Sequence, residues 1–202
     1  MTTTPPLVEQ AIALARREGF PLTRQEAASG QPSACLPDVG RFLAVLAAGC
    51  HGGTIAEFGT GAGIGAAWLA SSMPADCTLV TAELDPRLAE AAGRLLAGCP
   101  GVQVLAGDAN DVLPQHGPFD LIFADSGIRD PAAFGALTGL LKPGGRIVMD
   151  DLTPVQALPA GSALLASDTK RDLFAGEDRL TWTEVVLPDL ANSLLVGTRR
   201  AT

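Results

Sequence analysis

Six carboxylates and a run of glycines in this 202-residue chain stand where chemistry could be done. The run is Glu57-Phe-Gly-Thr-Gly-Ala-Gly-Ile-Gly65, in which Gly59, Gly61 and Gly63 leave the backbone bare around Thr60. Bare backbone lets amide N–H groups approach a ligand that side chains would hold off. Gly61 to Ala66 fits the looser G-x-G-x-x-A form of a nucleotide-binding turn, and Glu83 follows Gly61 by 22 residues. At that spacing a carboxylate can accept from ribose hydroxyls, which suits nicotinamide and adenosyl cofactors alike. A glycine-rich turn without a ligand is the bland alternative. Asp108, Asp125 and the pair Asp150-Asp151 weigh against it, because each closes an apolar segment of its own.

Those segments are the elements that must position the acids. Thr54–Phe58, Thr78–Ala82, Val102–Ala106, Phe119–Ala124 and Arg146–Met149 read as five strands. They are separated by helical stretches: the glycine loop opens one carrying Ile64 and Trp68, Asp85-Pro86 starts a second, and Asp130-Pro131 starts a third. The third would bury Phe134, Leu137 and Leu141 and stop at Lys142-Pro-Gly-Gly145. Strands apolar on both sides and alternating with helices predict a parallel sheet covered on both faces. In such a sheet ligands bind beyond the carboxyl ends of the strands, so every strand delivers an acid to one rim. Ahead of this lie a helix over Leu7–Glu18 begun by Thr4 and Pro5, a loop from Gln31 to Pro37, and a helix capped by Asp38 that ends near Gly49. Behind it, Leu180–Leu187 and Ser193–Arg199 are joined by Pro188–Asn192 and predict an antiparallel edge hairpin. Asp151–Glu177 reads as a loop with a partial helix near the mouth of the site, with Phe174 as a candidate pocket wall.

In this order EFGTGAGIG, AELDP, GDA, FDLIFAD and LKPGGRIVMDD resemble the class I S-adenosylmethionine-dependent methyltransferases. More narrowly, with Pro37-Asp-Val-Gly-Arg-Phe-Leu43 and the closing strands, the chain is similar to the catechol and caffeoyl-CoA type O-methyltransferases over roughly residues 32 to 200. The resemblance implies a Rossmann-like α/β fold with a mostly parallel seven-stranded sheet, strand order 3-2-1-4-5 and two closing strands. Residues 1–50 would be a helical extension and 51–202 the cofactor-binding domain. Gly59, Gly61 and Gly63, with Glu57 and Thr60, would wrap the amino-acid end of S-adenosyl-L-methionine. Glu83 would hold the ribose, Asp108 and Ala109 would flank the adenine, and Val39 and Gly40 would approach from the N-terminal side. Asp125 would serve both cofactor and catalysis. Asp125, Asp150 and Asp151 match the positions that bind a divalent metal in the family, the last commonly Asn there.

Charge physics makes the same three residues a question. Two carboxylates about 4 Å apart repel by roughly 4 kcal/mol at an effective dielectric of 20. Three at one rim want a proton or a cation, and oxygen-only donors favour Mg²⁺ or Ca²⁺. The alternative is that Asp150 caps a turn, Asp151 is solvated and Asp125 contacts the cofactor or a helix N-terminus. One departure from the family matters: where it often has a lysine base three residues after the first metal Asp, this chain has Ile128. Arg129 cannot replace it, because a guanidinium does not deprotonate in this range. His51 and His116, the only imidazoles, read as surface residues away from the rim.

Composition excludes several classes. Lys and Arg number 14 against 22 Asp and Glu, a net charge of −8, which argues against a nucleic-acid partner held by its phosphates. The charge-free stretch Phe58–Ala75 holds four glycines and Pro74, so it reads as loop plus helix and not a membrane span. The start shows no signal-peptide pattern. Cys35, Cys50, Cys77 and Cys99 form no C-x-x-C pair, which suits a reduced cytoplasmic protein with cysteines in its core. Trp68 and Trp182 read as packing residues. The expected activity is methyl transfer to oxygen of a small-molecule acceptor, possible metal assistance included, in a chain that the resemblance makes a plausible homodimer. The rival readings are an S-adenosylmethionine-binding protein without methyl transfer, which Ile128 favours, and a nicotinamide-dependent oxidoreductase.

Overall fold

The computed structural model describes residues 3–23, 26, 33–125, 128, 130–188 and 192–201. Gln31, Arg129 and residues 189–191 of the closing loop therefore lie outside the described residues. Seven strands form one sheet: β1 (Thr54–Phe58), β2 (Thr78–Glu83), β3 (Val102–Ala106), β4 (Phe119–Ala124), β5 (Leu141–Leu152), β6 (Leu180–Val186) and β7 (Ser193–Arg199). Their spatial order is β3-β2-β1-β4-β5-β7-β6. The first five run parallel, and β7 is antiparallel to both β5 and β6.

Period-two alternation sends successive strand residues into two cores. Ile55, Leu121, Phe123 and Val148 join α1 (Pro6–Arg17), α2 (Pro37–Ala48) and α3 (Ile64–Ala70) on one face. Ala56, Phe58, Ile122, Ile147 and Met149 join α5 (Ala109–Val112), α6 (Pro131–Gly139) and α7 (Thr169–Ala175) on the other. The N-terminal helices are therefore part of the main core: Val8 and Ala11 of α1 and Val39, Leu43 and Ala47 of α2 are wholly buried against the sheet domain. The remaining helix, α4 (Pro86–Leu96), starts at the Asp85 cap, whose carboxylate accepts from the Arg87 amide at 2.8 Å.

Several expectations are corrected. The cap of α2 is Leu36 and Pro37 is its first residue; Asp38 sits in the first turn and pairs with Arg41 at 2.5 Å. Likewise Pro5 caps α1 and Pro6 opens it, without a side-chain bond from Thr4. Leu141 belongs to β5, where it pairs with Phe119, and a register shift between Phe119 and Leu121 absorbs the Pro-Gly-Gly turn. The run after Asp108 holds the helix α5 and a 3-10 turn at Pro114–His116. Phe174 is wholly buried, its ring 5.0 Å from that of Phe134, so it is core and no pocket wall. Trp182 is the reverse: it lies on β6, the sheet edge, is 36% exposed and meets Phe174 edge-on.

Candidate active site

The glycine loop leaves β1 as a tight turn. Gly59 and Thr60 both donate their amides to the Ala82 carbonyl, and Gly59, Gly61 and Gly63 all have positive φ. Side chains other than glycine rarely adopt that region, so the loop's shape depends on all three. Below it lies a buried polar chain. The Thr81 hydroxyl donates to Glu57 Oε2 at 2.6 Å, and the Thr60 and Thr81 hydroxyls are 2.6 Å apart. Glu57 is 1% exposed and its carboxyl is pushed up to about 8, by burial first, against the pull of the Thr81 bond. Gly65 makes this possible, since a Cβ there would stand 2.2 Å from Glu57 Oε1.

Glu83, at the end of β2, fastens the loop to its neighbour. Its Oε2 accepts from the Gly61 amide at 2.7 Å and its Oε1 from the Asp85 amide at 2.9 Å. Beside it Leu84 is 72% exposed, a bare apolar side chain on the same rim. Asp108 is exposed and caps α5 by accepting from the Asn110 amide, while Ala109 is buried. Val39 and Gly40 lie in the first turn of α2. Val39 is wholly buried, and Gly40 packs so tightly on Trp68 that a Cβ would come within 2.1 Å of the indole. Phe20 and Ser33–Cys35 wall the space over the glycine loop from the N-terminal side, facing Thr60, Gly61 and Asp125.

Asp125 belongs to two neighbourhoods. It borders that space, and it converges with Asp150 and Asp151, each of the three offering an oxygen within 4.8 Å of the others. Adjacent strand residues normally point to opposite faces. Here β5 has a register shift between Met149 and Leu152 against β7, and Asp151 takes φ 62°. The irregularity turns Asp151 toward the same side as Asp150, the re-aiming that bulges commonly perform beside active sites. Burial, then the charges of Asp150, Asp151 and Glu57, raise the Asp125 carboxyl well above the usual range. The Cys35 thiol is raised by burial and by the same acids.

The other sequence candidates stay apart. His51 is exposed in the turn before β1, and His116 lies in the 3-10 turn. Ile128 is buried in the apolar cluster of Phe134 and Leu173, so no base stands at that position. A hollow of about 210 Å³ between α6 and α7 shares no lining residue with the glycine loop or the three aspartates. The place of Phe20 over the glycine loop was not legible in the sequence. It depends on how α1 lies over the loop, a long-range matter.

Residues 56–152 match the model of a methyltransferase domain family. A catechol O-methyltransferase of Niastella koreensis is 37% identical over 141 residues, which are 64% of this chain and 63% of that protein. A relative in Mycolicibacterium vanbaalenii assigned to the O-methyltransferases is 33% identical over 95% of this chain and 85% of its own length. Among solved structures, the O-methyltransferase TomG of Streptomyces achromogenes, in complex with SAM and involved in tomaymycin synthesis, superposes with a TM-score of 0.74. It is 26% identical, over 100% of this chain and 92% of its own. A Bacillus cereus O-methyltransferase in complex with SAH shares the fold, with a TM-score of 0.73 at 22% identity over 99% of this chain and 93% of its own. Among the described residues no helix is long and apolar enough to cross a membrane. The glycine loop, the acid-ended strands and these relatives together show that the chain belongs to the class I, S-adenosylmethionine-dependent O-methyltransferases.

Proposed function

We propose that this chain transfers the methyl group of S-adenosylmethionine to a hydroxyl of a small, catechol-like acceptor held at the three aspartates. The observation that carries the reading is the double membership of Asp125, which borders the glycine-loop space on one side and the carboxylate cluster on the other. One residue thus joins the place for a methyl donor to the place for an oxygen nucleophile.

On the donor side, Thr60, Gly61 and Asp125 border the space that would take the amino-acid end of the cofactor. Glu83 would accept from the ribose hydroxyls and Leu84 would lie against the purine, with Asp108 and Ala109 at its edge. On the acceptor side, Asp125, Asp150 and Asp151 supply oxygens alone. Ligand oxygens about 2.1 Å from Mg²⁺ span at most about 4.2 Å, and those of the larger Ca²⁺ reach about 5 Å. Three oxygens within 4.8 Å of one another fit a hard divalent ion with little movement. Held by these residues, such an ion supplies charge that lowers the pKa of a coordinated hydroxyl. The chain's own groups would do the rest by setting donor and acceptor in line, the positioning that an in-line methyl transfer requires. With Ile128 at the lysine position, deprotonation falls to the aspartates or to solvent.

Catechol incubated with labelled S-adenosylmethionine and Mg²⁺ should yield a methyl ether, and chelation by EDTA should reduce the rate at least tenfold. Methylation of catechol that is indifferent to EDTA would remove the cation from this reading. Cofactor binding without transfer to any hydroxylated acceptor would favour the binding-protein alternative.

A further inference from the structure

The two basic residues that open α7 bracket the bulge that carries Asp150 and Asp151. Lys170 Nζ donates to the Asp150 carbonyl at 2.5 Å, and Arg171 Nη2 donates to the Thr153 carbonyl at 2.8 Å. Between these two anchor points lies Asp151, the one non-glycine residue at positive φ among the described residues. The anchors are themselves held. Asp168 caps α7 through the Lys170 and Arg171 amides and takes the Arg171 guanidinium at 3.0 Å. Glu184 on β6 receives the same guanidinium through two bonds, at 2.6 and 2.9 Å. Of the chain's two lysines, the other, Lys142, is at the opposite end of β5, paired with Asp120 at 2.7 Å.

We propose that Lys170 is a positioning residue: with Arg171 it clamps the Asp150–Thr153 bulge from α7 and so sets the convergence of Asp150 and Asp151 on Asp125. The inference rests on the reading of those aspartates as a cation site, but the clamp itself is a property of the backbone and can be tested without a cation. A carbonyl held by an ammonium keeps its peptide plane fixed, and that plane decides where the next side chain points. Groups that orient ligands in this way typically contribute 10–100-fold in metal affinity.

The test compares wild type, Lys170→Met and Lys170→Arg. Methionine keeps the stem and loses the donor; arginine restores one. Amide hydrogen exchange of peptides covering residues 150–155, measured without metal, should show faster exchange in K170M and recovery in K170R, with melting temperatures within a few degrees of wild type. Titration with Mn²⁺, followed by its paramagnetic resonance signal, should show binding to K170M weakened at least roughly tenfold and largely restored in K170R. Unchanged exchange in K170M would overturn the clamp whatever the metal result. Faster exchange with unchanged Mn²⁺ affinity would overturn its role in positioning the carboxylates. Faster exchange in K170M, with no Mn²⁺ bound even by wild type, would leave the clamp standing and remove the cation reading instead.

Discussion

Two acidic regions of this protein treat the same side chains in opposite ways. At the rim, Asp125 faces Asp150 and Asp151, with Glu57 buried nearby, and the carboxyls of Asp125 and Glu57 are raised. Around α7 and β6 the acids Asp168, Glu177 and Glu184 each have an arginine. Glu177 binds Arg179 at 2.6 Å and is lowered to about 2, and the Arg171 bonds hold Glu184 below its usual range. The second region is an ordinary solution to placing charge in a fold. The first gathers like charges, which costs stability unless something else occupies the site. The contrast separates converging acids from paired ones, and the Lys170–Arg171 pair lies between the two.

The largest effect should come from removing the acid shared by both halves of the rim. Asp125→Asn should reduce methyl transfer by on the order of 100-fold or more while leaving the apoprotein as stable as wild type or more so, because repulsion is relieved. Parallel kinetics and thermal unfolding check both halves, and a destabilised D125N would erase the distinction between the two regions. Next, Glu83→Ala should weaken S-adenosylhomocysteine by roughly 10–100-fold, the worth of charge-assisted hydrogen bonds to two hydroxyls. Calorimetric titration measures it, and an unchanged affinity would mean that Glu83 serves only the Gly61 and Asp85 amides.

The pH dependence of stability should differ in sign between the regions. Glu57 keeps its proton in the fold from 4.5 up to about 8, whereas the unfolded chain releases it. Stability from this group is therefore present at low pH and lost as pH rises through that window, by about 2 kcal/mol or more, and Glu57→Gln should flatten that part of the profile. Glu177 is lowered from 4.5 to about 2, so its contribution is present above that range and lost as pH falls through it. Arg179 is 42% exposed, so Glu177→Gln should cost under about 1 kcal/mol near neutral pH. Denaturant midpoints between pH 3 and pH 9 test both; matching slopes would break the comparison.

Much of this architecture is local and was legible. Proline after a capping aspartate announces α4 and α6, and apolar runs with an acid at the end announce β1 to β5. Strand order came from family resemblance, since periodicity says nothing about neighbours, whereas the short loop between the last two strand-like runs announces the closing hairpin. What escaped is non-local. The alternation rule alone would send Asp150 and Asp151 to opposite faces, and only the irregular pairing of β5 with β7 brings them together. The fit of Gly40 against the Trp68 indole, where a Cβ would come within 2.1 Å, likewise depends on how α2 docks on α3. Lys170, in a stretch of weak periodicity, shows its partner only once α7 is docked beside the bulge.

The most direct measurement of the central claim, that Asp125 joins a cofactor site to a cation site, is thermal unfolding with S-adenosylhomocysteine, with and without Mg²⁺ or Ca²⁺, in wild type and D125N. A ligand at 100 times its dissociation constant adds about 2.7 kcal/mol, or roughly 5–10 °C for a chain of this size. The account predicts such a shift in wild type, enlarged by the cation, with the enlargement lost in D125N. No shift at saturating S-adenosylhomocysteine, or a shift indifferent to both cation and substitution, would contradict it.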